Sequence, residues 1–147
     1  MERARRAVLE ERLGHRFRDE RLLERALTHA SYAHEYPPAL HHESLALLGD
    51  AVLGLVVAEY LLGATPSASV GELTQRRAQL VAGDALARWA RELDLGALLR
   101  LGRGEEQTGG RERESTLATT LEALLGAVHL EGGLAAVRTA VGRLALW

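Results

Sequence analysis

The chain contains no cysteine, which excludes disulfides, thiolate metal sites and cysteine nucleophiles. It contains no lysine either: all 18 basic residues are arginine. Arginine presents a planar fork suited to bidentate phosphate contacts. A GC-rich genome produces the same bias, and composition does not separate the two. Aromatic residues make up only 4%, so the core must rest on Leu, Val and Ala. No sign of charge dominates. The formal net charge is −2, whereas a protein holding RNA by bulk charge alone would be more basic. Gly and charged residues interrupt every apolar stretch, so no membrane-spanning run is expected. The opening Met1-Glu2-Arg3-Ala4-Arg5-Arg6 has no apolar core behind its charges, unlike a secretory signal, and the expected location is cytoplasmic. No G-x-S-x-G elbow occurs. The G-x-G at Gly102–Gly104 lacks the G-K-[ST] of a phosphate-binding loop.

What remains has the composition of one globular domain: 147 residues, 47% hydrophobic and 26% charged, enough for a real core. Most of it reads as helix. Arg3 to Leu13 is short and charged, closed by Gly14. Asp19 caps a helix carrying Leu22, Leu23, Ala26 and Leu27. Pro37-Pro38 forces an extended break. A helix from about His42 to Leu62 is apolar on most sides, which predicts burial. Residues 65–69 read as a loop. Further helices start near Val70 and at Gly83-Asp84, the latter running to Leu93. Residues 101–110 read as a flexible loop. Leu117, Leu121, Leu124, Leu125 and Val128 form a helical stripe stopped by Glu131-Gly132-Gly133. A last helix runs from Leu134 to Leu146. With no convincing strand or repeat, the expectation is a single all-α domain over 1–147.

The run His42-Glu43-Ser44-Leu45-Ala46-Leu47-Leu48-Gly49-Asp50-Ala51-Val52-Leu53 resembles the signature helix of the ribonuclease III family, H-N-E-R-L-E-F-L-G-D-[AS]-V-L. The resemblance extends to Leu13-Gly14-His15-Arg16-Phe17, to Ala26-Leu27-Thr28-His29-Ala30-Ser31-Tyr32, and to Gly71-Glu72-Leu73-Thr74. It continues through Leu101-Gly102-Arg103-Gly104-Glu105-Glu106 and Leu121-Glu122-Ala123-Leu124-Leu125-Gly126-Ala127, in the family's order. It implies an all-helical endonuclease fold, a symmetric homodimer, and Mg²⁺-dependent cleavage of double-stranded RNA. The double-stranded RNA-binding domain that often follows is expected to be absent, as in mini-ribonuclease III-type members, because the sequence ends at Trp147.

Two-metal phosphodiester cleavage requires several hard oxygen ligands converging on one point, and helices supply them at i, i+3 and i+7. Positions 43, 46 and 50 keep that spacing, as do 119 and 122. By the resemblance, Glu43, Asp50 and Glu122 stand at acidic metal-site positions, with Asp50 and Glu122 the catalytic remnant. Ala46, Val70 and Thr119 stand where the family carries acids. Ala and Val have no ligand atom, and Thr offers only a neutral hydroxyl. Losing even an outer partner typically lowers affinity or activity about 10–100-fold, so Mg²⁺ is expected to bind weakly or not at all. Asp50 and Glu122 also admit a structural reading as paired residues in a bundle. A residual polar pocket is the favoured reading.

Arg103, Arg111 and Arg113 are candidates for RNA phosphate contacts, although Glu105, Glu106, Glu112 and Glu114 support an ordinary solvated loop equally. The resemblance gives Leu47, at a position where the family often has Phe, a place in the dimer interface. His29, His34, His41 and His42 lack a clean i, i+4 pair, which disfavours zinc. The leading expectation is a ribonuclease III-like homodimer that binds structured, double-stranded RNA, ribosomal RNA being the expected kind, or a ribonucleoprotein, with lost or strongly reduced cleavage. An active Mg²⁺ endoribonuclease and an RNA-free assembly dimer are the alternatives.

Overall fold

Local signals fix the helix ends. Asp19 accepts the Arg21 N–H at 2.9 Å and Ser69 accepts that of Glu72 at 3.2 Å, each side chain satisfying a donor left open by a helix start. Gly14 closes the first helix in the left-handed region at φ 68°, where a Cβ would be costly. In the computed structural model, which describes residues 2–144, the helices are α1 Arg3–Leu13, α2 Glu20–Ala26, α3 Ala30–Glu35, α4 Glu43–Ala64, α5 Val70–Leu80, α6 Gly83–Glu92, α7 Leu95–Leu98, α8 Arg103–Gln107 and α9 Glu114–Leu144. A 3₁₀ turn spans Gly110–Glu112. Among the described residues the only extended pairing is an isolated bridge between Thr28 and Arg100. The fold is all-α, as expected. The last residues assigned to the final helix, Leu146 among them, lie outside the described residues.

The two longest helices, α4 and α9, pack on each other and form the centre; α6, α1 and α2 pack around α9. Leu53 and Val57 of α4 meet a core that includes Leu121, Leu124, Leu125 and Val128 of α9, all fully buried. By length and composition both helices are apolar enough to cross a membrane. This corrects the expectation that interrupting Gly and charged residues keep every run short. Here that apolarity lines the bundle's own core.

The break expected at residues 131–133 is a kink inside α9, centred on Gly133 at φ 72°, ψ −170°. Glu131 does more than mark it. Its carboxylate accepts the N–H groups of Arg18 at 3.1 Å and Asp19 at 2.8 Å and pairs with the His15 ring at 3.0 Å. Its carbonyl accepts from the Arg18 guanidinium. The α1–α2 connection is thereby clipped to the kink. Burial pushes the Glu131 carboxyl upward, but the Asp19 and Arg18 amides and the His15 ring together hold it below its usual range.

Three short helices depart from the reading of the sequence. α3 precedes the Pro37-Pro38 break, α7 follows α6, and α8 replaces the flexible loop expected at 101–110. Helices of four to six residues carry too few positions for an apolar stripe. Tertiary bonds hold the α8 region. Gly102 N–H donates to Ser31 Oγ at 2.8 Å and Arg103 N–H to Glu35 at 2.8 Å. Ser31 Oγ in turn lies 2.7 Å from His29 Nδ1.

Candidate functional site

Two glycines bring the retained acids together. A Cβ on Gly49 would lie 1.6 Å from the Glu122 carbonyl oxygen, and one on Gly126 would lie 2.2 Å from that of Leu45. The backbones of α4 and α9 therefore touch at this crossing, which any larger residue would push apart. A helix-interior Gly costs about 1 kcal/mol relative to Ala, and the close approach is the reason for it here. Neither glycine was singled out from the sequence, although a Gly within each apolar helix was the available signal.

Asp50 follows Gly49 on α4, and its side chain hydrogen-bonds to that of Glu122 on α9. Asp50 is exposed and Glu122 half-buried. Burial first, then the hydrogen bond to Asp50 and the negative charge of that residue, push the Glu122 carboxyl up to about 7. Near neutral pH the Glu122 carboxyl is therefore close to its titration midpoint.

The other expected site residues do not join this pair. Glu43 lies two turns before Asp50, roughly 10 Å along the helix axis. It is exposed, with its carboxylate 4.0 Å from His41 Nδ1. Ala46 is 8% exposed and belongs to the apolar core. Thr119 is half-buried one turn before Glu122. Val70 opens α5 and is 81% exposed. Among the described residues no three Asp, Glu or His side chains converge as a metal cluster. One carboxylate pair does not fit the Mg²⁺ cage of several acids that the resemblance implies.

The three loop arginines differ in what they do. Arg111 turns inward. Its Nη1 donates to the carbonyls of Gly96 at 2.9 Å and Leu99 at 2.7 Å, and its Nε to Glu106 at 2.8 Å. Arg113 pairs with Glu105 and donates to the Thr108 carbonyl. Of the three, Arg103 is the one whose guanidinium is exposed without such internal bonds; its backbone N–H alone is anchored, on Glu35.

His42, at the start of α4, is 2% exposed, and neither ring nitrogen has a hydrogen-bond partner. Its ring meets that of His29 edge-on at 5.8 Å. Burial, with the neighbouring His29 and His41, lowers its pKa to about 4. His29 Nδ1 is taken up by Ser31, so the histidines form no metal site among the described residues.

Leu47 is 76% exposed, with Leu55 at 47% and Leu62 at 62%. Together with Ala51 they lie along one face of α4, at i, i+4, i+8 and i+15. An apolar face of this extent is unfavourable in water and marks an interaction surface.

A family model described as Ribonuclease-III-like matches residues 19–146. Ribonuclease 3 of Caldanaerobacter subterraneus subsp. tengcongensis is 48% identical over 134 residues, covering 90% of this chain and 59% of the relative. Ribonuclease 3 of Heliobacterium modesticaldum is 51% identical over 134 residues, covering 90% and 57%. The chain thus spans a little over half the length of these relatives. Among solved structures, the nuclease domain of ribonuclease III from Campylobacter jejuni superposes with a TM-score of 0.87 at 41% identity, covering 93% of each chain. That structure is described for flexibility in its region of dimer formation. Dicer from Pichia stipitis superposes with a TM-score of 0.58 at 29% identity, over 80% of this chain and 48% of its own.

Proposed function

The chain belongs to the ribonuclease III-like family, and on that premise we propose that it is a homodimeric domain that binds structured, double-stranded RNA, ribosomal RNA or a ribonucleoprotein being the expected target, with cleavage lost or strongly reduced. The observation that carries this reading is the isolation of the Asp50–Glu122 pair. Where the family pattern calls for a cage of carboxylates, Ala46 and Thr119 supply no charge, and the Glu122 carboxyl is raised to about 7. Such a pair attracts a divalent cation weakly, because hard cations of this kind need more oxygen ligands than two carboxylates supply. The apolar face through Leu47, Ala51, Leu55 and Leu62 supports an isologous dimer, in which one patch meets its own copy. Arg103 is the loop cation most available to an RNA phosphate.

A second reading, an active Mg²⁺-dependent endoribonuclease, is favoured by one observation: relatives named Ribonuclease 3 share about half of this sequence. The two readings divide on a single assay. Labelled double-stranded RNA is incubated with the protein in Mg²⁺ and in Mn²⁺, with Asp50→Ala beside it to exclude a contaminating nuclease. The proposal expects the RNA to be retained in a gel shift, with steep salt dependence, and to remain uncut. Cleavage that disappears in Asp50→Ala would establish the active reading instead. Absence of RNA binding at low salt would leave a protein-assembly dimer.

A further inference from the structure

The chain has six aromatic residues outside histidine, and two of them are stacked at the surface. The rings of Tyr32 and Tyr36, one turn apart on α3 and at its end, lie 4.7 Å apart at 33°. The Arg100 guanidinium sits 4.6 Å over the Tyr32 ring. The stack is held from several sides. Arg100 Nε donates to Thr28 Oγ1 at 2.9 Å, and the Arg100 backbone is bonded to Leu27 and His29. The Tyr36 N–H donates to the Tyr32 carbonyl at 2.9 Å. Phe17 and Trp89 are buried, whereas Tyr36 is 53% exposed, and Leu40 beyond Pro37-Pro38 is 62% exposed. A rigid aromatic ring more than half in water contributes little to the stability of this chain.

Its neighbours are of mixed charge, with arginines among them. Glu35, adjacent to Tyr36, accepts the backbone N–H of Arg103 at 2.8 Å, which sets the exposed Arg103 beside the end of the stack. On the other side Arg100 joins the stack to a groove of about 460 Å³, where Arg21 and Arg25 are its basic neighbours. Asp19 and Glu24 line that groove too; the Asp19 carboxylate caps α2, and the Arg25 guanidinium donates to the His41 carbonyl and Ser44 Oγ. An exposed ring with arginines on both sides has the makings of a single-strand nucleic-acid site: a π-face for any base and guanidinium groups for the flanking phosphates.

We infer that the Arg100–Tyr32–Tyr36 stack is a platform for one unpaired nucleobase of a bound RNA, seated on Tyr36 with its flanking phosphates at Arg103 and Arg100. This rests on the proposed RNA-binding function and extends it from the paired helix to its unpaired flank. Stacking of this kind is sequence-tolerant, so any base serves.

The test compares three labelled RNAs by fluorescence anisotropy: a blunt hairpin, the same hairpin with a five-nucleotide single-stranded tail, and the tail alone. Each is titrated with the unmodified protein, Tyr36→Ala and Tyr36→Phe, after thermal melting has shown that the variants fold. The tail is expected to raise hairpin affinity roughly 10-fold, the gain typical of one stacked base. Tyr36→Ala should abolish that gain without changing affinity for the blunt hairpin, and Tyr36→Phe, which keeps the ring, should preserve it. A tail that adds nothing to the unmodified protein overturns the inference. So does Tyr36→Ala weakening blunt and tailed hairpins equally, or Tyr36→Phe losing as much as Tyr36→Ala. If the blunt hairpin does not bind but the tail alone binds through Tyr36, the platform stands and the duplex reading falls. If no RNA binds, both fall.

Discussion

Replacing Gly49 by Ala places a methyl group 1.6 Å from the Glu122 carbonyl oxygen, and that neighbour is helix backbone rather than a side chain able to swing aside. Restoring ordinary contact requires α4 and α9 to separate locally by about 2 Å, through the most tightly packed part of a close-packed core. Overpacking of this kind typically costs about 1–3 kcal/mol, more where backbone must move. The better helix propensity of Ala returns about 1 kcal/mol. Because the contact is backbone on backbone, the upper end applies, and a net loss of about 2 kcal/mol is expected, or roughly 4–8 °C in Tm for a domain of this size. Gly142 provides the control. It lies on the exposed side of α9 with nothing within 4 Å of the added Cβ, so Gly142→Ala should be neutral or stabilise by up to about 1 kcal/mol. Thermal and urea unfolding of the two variants, followed by circular dichroism, therefore predict the same substitution with opposite signs. Gly49→Ala should also part Asp50 from Glu122 and lower the Glu122 pKa from about 7, which NMR titration of the side-chain carboxyl can follow. If Gly49→Ala melts at or above the unmodified protein, the two-glycine crossing does not hold the site together.

Three further substitutions follow from the same geometry. Glu122→Gln removes an acid whose folded pKa is raised, so the unmodified protein loses stability as pH rises from 4.5 to about 7; the variant should be the more stable at pH 8, by about 1–2 kcal/mol after allowing for solvent screening of a half-buried group, and equal melting curves there would refute the shift. His42→Phe removes a buried imidazole whose folded pKa is lowered to about 4, whose neutral form contributes fully above pH 6.5 and whose contribution fades as pH falls towards 4. The unmodified protein should lose up to about 3 kcal/mol over that window and the variant should not, as pH-dependent urea unfolding would show. Glu131→Ala strips partners from two backbone amides and the His15 ring and should cost about 2–4 kcal/mol. Because that carboxyl is held low, its stabilising effect is present above pH 4.5 and is lost below it, so an undiminished Tm at pH 7 would show that the clip carries no energy.

The long elements were legible because their apolar positions repeat with the helical period over many residues: the stripe Leu117, Leu121, Leu124, Leu125 and Val128 became the buried face of α9. The cap at Asp19 and the closing Gly14 were legible because single residues carry those roles. Long-range partners were not. Glu131 reads as part of a stop signal until residues 15–19 are brought against it. Arg111 reads as a free cation until the carbonyls of Gly96 and Leu99 close on its guanidinium. α8 reads as loop because its order comes from Ser31 and Glu35, some 70 positions away. The pairing of Asp50 with Glu122 was foreshadowed by a family pattern, but their closeness depends on Gly49 and Gly126, whose lack of a side chain has meaning only across a helix crossing.

The central claim is that an intact family fold surrounds a site short of carboxylates. Restoring two of them tests it most directly: cleavage of labelled double-stranded RNA in Mg²⁺ by the unmodified protein and by Ala46→Glu combined with Thr119→Asp. The account predicts no cutting by the former and Mg²⁺-dependent cutting by the latter, lost again on adding Asp50→Ala. Cutting by the unmodified protein that Asp50→Ala abolishes would contradict it, because Asp50 and Glu122 would then suffice for the chemistry.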